Sequence, residues 1–488
     1  MKKRSLGINA FLNSFRSILN LLFPLITFPY ISRVLSVKGV GIYNFANTYV
    51  SYFLLIAGLG IATYAVREGA KYRGNKEKIS IFSSQVFTIN VYSTVIAYVL
   101  LLASLMIFGN LRNYVSSILI FSLQIIFTTI GTEWIYIIYE DYSYITIRNI
   151  AFKILSIFLL FLLVKTPNDY LQYAAIIVFA NVGSNILNFI HVKQFCTIKL
   201  VKNTNWKYHL RPILIIFASS VAVTIYVSSD TTILGLLKDS YDVGIYSTSV
   251  RIYQMAQGVL SAILTVTIPR LAMLWGQQRL KEYKNVLSKV INTLEILVLP
   301  ASVGLMMLSK EVVLIIAGKK YLNSVNSLRI ITWAIIFSIF AWIFSDCVLI
   351  PAKRESKVLR NTVITGIVNI ILNFILIPFW SYDGTSLSTL IAEGMVMILN
   401  GITCWDIIKD IILSKDVFYN LITSIVGCIG IVIICILCKI SYSNMIIEMI
   451  MSVILSVIIY GAILFLLRNK VILNVINNLK FRRKRQIK

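Results

Sequence analysis

The sequence predicts an all-α polytopic membrane protein of about 14 transmembrane helices, arranged as two pseudo-symmetric six-helix lobes followed by two C-terminal helices. Hydrophobic residues make up 58% of the 488 residues, charged residues only 14%, and the mean hydropathy is +0.82. A water-soluble chain needs more polar surface than this composition supplies. Apolar runs of about 20 residues recur along the whole chain, and a run of that length spans a bilayer as a helix. Their continuity excludes the short alternating strands of a membrane barrel.

The length rule for a spanning helix assigns each apolar run to one predicted span. Short polar segments separate the runs. The predicted spans are 11–32, 41–63, 82–108, 115–138, 145–164, 171–195, 212–237, 244–268, 286–308, 329–351, 358–380, 384–408, 417–439 and 446–467.

The net charge of +26 is distributed in a way that indicates topology. Lys and Arg concentrate in alternate polar segments, including the C-terminal "LKFRRKRQIK", while the intervening segments hold few. Because cytoplasmic loops of membrane proteins are enriched in Lys and Arg, both termini are predicted to be cytoplasmic. The basic charge therefore favours contact with anionic lipid over nucleic-acid binding. Three lysines on the predicted outer side have no explanation in this scheme: Lys310, Lys319 and Lys320.

The tetrapeptide "VGIY" occurs twice, at Val40–Tyr43 and at Val243–Tyr246, 203 residues apart. The same offset aligns Arg67 with Arg270. Six predicted spans separate each unit from its copy, so the two copies have the same orientation in the membrane. A parallel repeat of this kind is related by an axis along the membrane normal and encloses a central cavity.

The repeat divides the chain into four predicted parts. A polar segment separates the two lobes, and the last two spans fall outside the repeat. The parts are an N-lobe of six helices (1–195), a cytoplasmic linker (196–211), a C-lobe of six helices (212–408), and two further helices with a basic cytoplasmic tail (409–488).

Charged residues inside the predicted spans are the candidate functional residues, because a charge at mid-bilayer costs several kcal/mol unless it has a partner or a wet cavity. Two are arginines and five are carboxylates: Arg16, Arg251, Glu133, Asp230, Glu295, Asp346 and Glu393. Some of them could be ion pairs that fix helix packing. Arginine is the side chain best shaped to hold phosphate oxygens in a bidentate fork.

No catalytic motif is evident, and no metal or other cofactor is predicted. The chain lacks a Walker lysine and a nucleophile elbow, so bound ATP is not expected to drive it. Its only histidines are His191 and His209, and this composition does not predict a histidine metal site. Cys435 and Cys438 form a CxxC pattern within an apolar run, where small packing residues are the simpler interpretation.

The stretch "FPLITFPYISRVLSVKGVGIYNFANTYVSYFLLIAGLGIATYAVREGAK" resembles the opening signature of the Wzx-type polysaccharide repeat-unit flippases. The later "SSDTTILGLLKDSYDVGIYSTSVRIY" and "TIPRL" are also similar to that family. The family belongs to the MOP superfamily, with the lipid II flippases and the MATE drug exporters. The resemblance covers essentially the whole chain. It implies a non-enzymatic protein of the cytoplasmic membrane.

The resemblance implies movement of an undecaprenyl-diphosphate-linked oligosaccharide to the outer leaflet by alternating access, for capsule, O-antigen or exopolysaccharide synthesis. Lipid II flippases place arginines of their first and eighth helices in the central cavity, so Arg16 and Arg251 are assigned to diphosphate binding. Arg33, Arg67 and Arg270 match family positions near helix ends and are assigned to gating or secondary basic contacts. Ion coupling by H⁺ or Na⁺ is assigned to the carboxylates Glu133, Asp230, Asp346 and Glu393. Membrane lipids, and the polymerase and glycosyltransferases of the pathway, are the remaining expected partners.

Three alternatives stay open at this point. A lipid II flippase or a MATE-like drug exporter would share the fold, although an exporter of cations has little use for two arginines in its cavity. A membrane polymerase or glycosyltransferase of the same pathway would carry long outer loops, which the predicted spans do not leave. A scaffold would leave the charges within the membrane unexplained. The sugars of the substrate and the oligomeric state are not encoded in any recognisable pattern.

Overall fold

The computed structural model describes residues 23–473, and helices are the only regular secondary structure in that part of the chain. The chain divides into two compact units, Met1–Ser247 and Thr248–Lys488. Long apolar runs form these helices because a helix satisfies its own backbone hydrogen bonds, which lipid cannot do.

The first unit contains ten complete or partly described helices and the first turns of an eleventh. Helix α1 is described over residues 23–34. The others are α2 (Val37–Gly58), α3 (Ile61–Gly69), α4 (Lys76–Ile107), α5 (Val115–Gly131), α6 (Glu133–Ile138), α7 (Tyr142–Leu163), α8 (Tyr170–Val182), α9 (Asn185–His191), α10 (Trp206–Leu237) and the start of α11 (Ser240–Gly276). Helix α2 is central, since α4, α5, α8 and α10 all pack against it.

The second unit contains the rest of α11 and eight further α-helices. A π-helical turn, Ile343–Leu349, follows α15. The helices are α12 (Leu280–Met307), α13 (Ser309–Ile316), α14 (Ser324–Thr332), α15 (Ala334–Trp342), α16 (Glu355–Thr403), α17 (Trp405–Ile412), α18 (Lys415–Ser441) and α19 (Met445–Leu466).

Twelve helical segments of the described chain are long and apolar enough to cross a membrane. The protein is therefore an all-helical multi-pass membrane protein. One of the twelve, α16, has 49 residues. It is interrupted at Ser381, whose φ of 45° and ψ of −127° are not helical.

The break at Ser381 turns α16 into a hairpin of two helices. Asn361 Nδ2 donates to Asn400 Oδ1 at 3.0 Å, although these residues would lie about 58 Å apart in a straight helix. A third residue joins the same contact, because Asn361 Nδ2 also donates to Thr403 Oγ1 at 3.0 Å. The two halves of α16 thus run antiparallel, and they correspond to the predicted spans 358–380 and 384–408.

The polar segment before α10 is fixed along one face of α4. Backbone N–H groups at residues 197, 199 and 201 donate to hydroxyl oxygens of Ser80, Ser84 and Thr88, each at 3.1 Å. These hydroxyls recur every four residues, so they form one row on the helix, and alternate amides of an extended chain reach them. The extended chain then continues into α10 at Trp206.

Helices α18 and α19 pack together and against α12 in the second unit. A row of buried asparagines joins α12, α18 and the segment that follows α19: Asn420 donates to Asn292, and Asn469 Nδ2 donates to Asn420 Oδ1 at 2.8 Å. Glu295 lies one turn further along α12, is 5% exposed, and has one carboxylate oxygen without a hydrogen-bond partner in the described chain.

Candidate functional site

The two VGIY segments meet each other within the first unit. A Cβ atom on Gly41 would overlap the carbonyl oxygen of Ser240 and lie 2.9 Å from the backbone nitrogen of Gly244. A Cβ atom on Gly244 would overlap the carbonyl oxygen of Val37. The first turns of α2 and α11 therefore cross with backbone against backbone, and glycine at both positions makes this approach possible.

Asp230 lies beside this crossing and is held by the second VGIY segment. The Tyr246 hydroxyl donates to Asp230 Oδ2 at 2.8 Å, and the Asp230 residue is 7% exposed. Two residues further along α10, Thr232 Oγ1 forms a 3.0 Å hydrogen bond with the Tyr52 hydroxyl of α2. Helices α2, α10 and α11 are thus joined by polar contacts around a buried carboxylate.

A polar cavity of about 160 Å³ lies near these contacts, between α2, α5 and α10. Most of its lining carries amides or hydroxyls, from Asn47, Thr48, Ser51, Gln124 and Ser228. Such side chains can replace water around a small polar or ionic group in a membrane. The cavity is large enough for a few waters or one ion, and too small for a sugar or a lipid headgroup.

Glu133, the second candidate carboxylate, faces a buried cation. Its Oε2 lies 3.7 Å from Arg148 Nη2, and the side chain of Arg148 is 4% exposed. The guanidinium carbon of Arg148 also lies 5.8 Å from the ring centre of Tyr144. This ion pair between α6 and α7 gives Glu133 a structural partner, so any proton carried by Glu133 would have to compete with Arg148.

In the second unit, Arg251 is half-buried on α11. No hydrogen bond or ion pair joins its guanidinium to any residue within 23–473. The next residues on this helix form a polar contact with α15, because Gln257 Nε2 donates to the Tyr253 hydroxyl at 3.0 Å and to Ser338 Oγ at 2.8 Å. Arg251 is therefore a cation in a predicted span without a protein partner in the described chain, as a ligand-binding arginine would be.

The other two candidate carboxylates are also in the second unit. Asp346 lies in the π-helical turn and accepts a 2.9 Å hydrogen bond from Ser345 Oγ. A π-turn inside a helix frequently marks a functional position. Glu393 is half-buried on the second half of α16.

The arginines predicted near helix ends are all on the surface of their own unit. Arg33 and Arg270 are exposed. Arg67 Nε lies 3.2 Å from Glu68 Oε1, and Glu68 also pairs with Lys71. Arg16 lies outside the described residues.

Sequence reasoning missed the hydroxyl partners of the candidate charges. Tyr246 belongs to the quoted repeat and follows Asp230 by 16 residues, so a tyrosine near the start of the next helix was the available signal. Tyr52 and the trio of Tyr253, Gln257 and Ser338 gave no distinguishing pattern. Residues 23–473 contain no group of three or more His, Cys, Asp or Glu side chains placed to hold a metal.

Two solved structures of membrane transporters have a similar fold. The structure of "Lipid II flippase MurJ, inward closed conformation" is similar with a TM-score of 0.71 and 15% identity, over 94% of this chain and 98% of that one. An inward-facing "multidrug resistance MATE family transporter of the MOP superfamily" is similar with a TM-score of 0.61 and 13% identity, over 81% of this chain and 96% of that one.

A comparison of sequences identifies the family of the chain. The profile described as "Polysaccharide biosynthesis protein" matches residues 6–275, more than half of the chain, and the chain belongs to this family. The "Putative O-antigen transporter" of Escherichia coli (strain K12) is 23% identical over 381 residues, covering 77% of this chain and 91% of that protein. The chain is thus a polysaccharide biosynthesis protein by family, with a fold similar to that of these solved transporter structures.

Proposed function

We propose that the protein moves an undecaprenyl-diphosphate-linked oligosaccharide repeat unit from the cytoplasmic to the outer leaflet, by alternating access, for capsule, O-antigen or exopolysaccharide synthesis. One observation carries the proposal: the polysaccharide biosynthesis family profile matches residues 6–275, on a chain with the fold of a lipid-linked precursor flippase. The substrate has an apolar tail that can remain in lipid. Its diphosphate and sugars cannot cross hydrocarbon unaided.

The proposal includes the finer architecture. Fourteen spans would form an N-lobe at 1–195 and a C-lobe at 212–408, joined by the linker 196–211, with two further helices in 409–488. The hairpin of α16 supports this count, because one long segment supplies two spans. Both termini would be cytoplasmic, as the distribution of Lys and Arg predicts.

Arg251, with Arg16, would bind the diphosphate. Support comes from the half-buried position of Arg251 and from the absence of a hydrogen-bonding or ion-pairing partner for it within residues 23–473. A guanidinium without a carboxylate partner keeps its donors for phosphate oxygens. Arg33, Arg67 and Arg270 would make secondary contacts or act in gating.

A carboxylate would couple transport to H⁺ or Na⁺, and Asp230 is the best placed of the four candidates. Its buried position beside Tyr246 and near a small polar cavity supports this choice. Glu133 has a competing cation in Arg148. Asp346 and Glu393 stay predictions with less support.

The role of Arg251 can be tested by the amount of surface glycan in a strain that lacks its own repeat-unit flippase and carries this protein instead. Arg251→Ala should reduce surface glycan to below about a tenth of the wild-type amount, since a bidentate contact with phosphate is lost. Arg279→Ala is the matched control, because Arg279 is exposed and its guanidinium contacts only Glu282 and Gln277 within residues 23–473. The variants are compared at equal amounts in the membrane, by an epitope tag, and Arg16→Ala is measured in the same way. Normal display with Arg251→Ala would remove Arg251 from the substrate site.

The lipid-linked intermediate that accumulates distinguishes this function from transport of lipid II or of drugs. In the Arg251→Ala strain, undecaprenyl-diphosphate-linked repeat units should accumulate while lipid II turnover is unchanged. Accumulation of lipid II, or drug sensitivity with normal glycan display, would indicate a different substrate. Asp230→Asn should alter the response of glycan display to a protonophore or a sodium ionophore, and an unchanged response would indicate that Asp230 is a packing residue.

A further inference from the structure

A cavity of about 510 Å³ lies in the second unit, and none of the candidate charges described above lines it. The end of α12, the helix α14, the second half of α16 and the facing ends of α18 and α19 form its walls. Most of the lining is apolar, with residues such as Met307, Trp333 and Leu387. Three charged side chains also line it: Arg329, Lys439 and Glu448.

The guanidinium of Arg329 is held in place by a buried serine. Arg329 Nε donates to Ser309 Oγ at 3.0 Å, and Ser309 Oγ donates to the carbonyl of Met306 at 2.9 Å. Ser309 is 0% exposed, so this contact anchors the arginine at its Nε atom. The two terminal nitrogens of the guanidinium have no hydrogen-bond or ion-pair partner in the described chain, and they are the pair that binds phosphate in a fork.

The other two charges are likewise uncompensated within residues 23–473. Lys439 is exposed and forms no ion pair there. Glu448 is 9% exposed, and its carboxylate makes no hydrogen bond or ion pair there. A carboxylate this buried needs a cation or a hydrogen-bond donor to offset its desolvation, so a ligand that supplies one would bind favourably.

The cavity lies at the predicted outer ends of its helices. Helix α12 ends there at Met307, and the short connection between α18 and α19 is at the same end. Lys310, Lys319 and Lys320 follow α12 on this side and are exposed. A site at this depth meets lipid headgroups on its polar edge and acyl chains on its apolar wall.

We propose that this cavity binds a phospholipid whose headgroup carries both a phosphate and a primary amine. Arg329 and Lys439 bind the phosphate, Glu448 accepts hydrogen bonds from the amine, and Trp333 with its apolar neighbours contacts an acyl chain. The site is separate from the proposed diphosphate site and belongs to a lipid of the outer leaflet. It also gives the three outer lysines a role, as a positive surface that attracts phosphate groups to the mouth of the cavity.

Native mass spectrometry of the purified full chain measures the proposed site directly. The protein is exchanged into detergent and titrated with phosphatidylethanolamine, phosphatidylglycerol or phosphatidylcholine of identical acyl chains. The wild type should retain phosphatidylethanolamine best. Arg329→Ala should weaken it about tenfold, the size expected for a lost charge-assisted hydrogen-bond pair. Glu448→Gln should remove the preference for phosphatidylethanolamine over phosphatidylglycerol.

Arg112→Ala is the matched control, because Arg112 is an exposed arginine on the same predicted side in the first unit. It should leave all three affinities unchanged. Arg329→Lys keeps the charge without the fork, so it should fold as the wild type does and retain an intermediate affinity. Equal thermal stability of the variants is required before their affinities are compared.

Each other outcome would overturn the proposal. Equal or tighter binding of phosphatidylglycerol by the wild type would show that Glu448 does not receive an amine. Unchanged binding in both Arg329 variants would exclude that residue from the site. Displacement of the lipid by inorganic phosphate alone, at concentrations comparable with the lipid, would show that the site recognises free phosphate and that the apolar wall contributes nothing.

Discussion

The two VGIY segments have the same four residues and different surroundings. In the first, the Tyr43 ring packs between Tyr173 at 4.6 Å and Phe121 at 5.6 Å between ring centres, and its hydroxyl makes no hydrogen bond within residues 23–473. In the second, the Tyr246 hydroxyl donates to the buried Asp230. The glycines of both segments have kept the same role, since each lets one backbone approach the other. A repeated motif can therefore preserve backbone geometry while only one copy acquires polar chemistry.

A substitution where the two VGIY segments cross should cause the largest loss of stability. Gly41→Ala places a methyl group against backbone atoms of Ser240 and Gly244, which cannot rotate away. We expect a loss of about 3 kcal/mol in stability, as for an overpacked core, because α2 and α11 must separate. The temperature at which half the detergent-solubilised protein is lost from the monodisperse peak on size exclusion measures this.

Gly58→Ala is the control for that experiment. Gly58 is also in α2, and nothing lies within 4 Å of a Cβ atom built there. It should leave the temperature unchanged or raise it slightly, since alanine is the better helix former. Equal effects of the two substitutions would mean that the close approach of the VGIY segments does not exist in the folded protein.

Removal of the Tyr246 hydroxyl should cause the next largest loss of stability. The same change at Tyr43 tests the difference between the two VGIY segments. Tyr246→Phe removes a hydrogen bond to a buried carboxylate and should cost about 1.5–3 kcal/mol, whereas Tyr43→Phe removes only an unbonded hydroxyl and should cost less than about 0.5 kcal/mol. The same size-exclusion assay ranks them. A larger loss with Tyr43→Phe would reverse the assignment of polar chemistry to the second copy.

The sequence predicted the helices well, because about 20 apolar residues in a row have one stable structure in lipid. It also predicted that Ser381 and its neighbours separate two spans, since the polar "SYDGTS" interrupts an apolar run. The sequence did not predict which side chains the charged residues of the spans contact. Whether Glu133 meets Arg148, or Asp230 meets Tyr246, depends on how helices distant in sequence rotate and pack, and periodicity within one helix does not specify this.

A hydrogen bond between two neutral side chains near Asp230 tests the packing of the helices separately from the role of the carboxylate. Tyr52→Phe removes the hydrogen bond to Thr232 between α2 and α10. The expected cost is about 0.5–1.5 kcal/mol, smaller than for Tyr246→Phe because neither partner is charged. The variant should also leave the ionophore response of glycan display unchanged. A changed response would extend the coupling site from Asp230 to the α2–α10 contact.

Removal of an exposed ion pair should cause the smallest loss of stability. Arg354 donates from both terminal nitrogens to Asp406, at 2.8 and 2.6 Å. Both residues lie outside the twelve helical segments of the structure that could cross a membrane, and the side chain of Asp406 is 58% exposed. These hydrogen bonds lower the pKa of Asp406 below its usual value. A lowered folded-state pKa stabilises the protein above the carboxyl pKa of the unfolded chain, and the contribution disappears as pH falls through the folded value.

Arg354→Ala should therefore cost at most about 1 kcal/mol at neutral pH, because solvent screens an exposed pair. The difference from the wild type should shrink as the pH falls below about 4, once Asp406 is protonated in both proteins. Thermal stability measured across that pH range checks the sign. A difference that grows in acid, or one at neutral pH as large as that of Tyr246→Phe, would show that this pair is not the solvated contact its exposure indicates, and the contrast between buried and exposed carboxylates in this protein would fail.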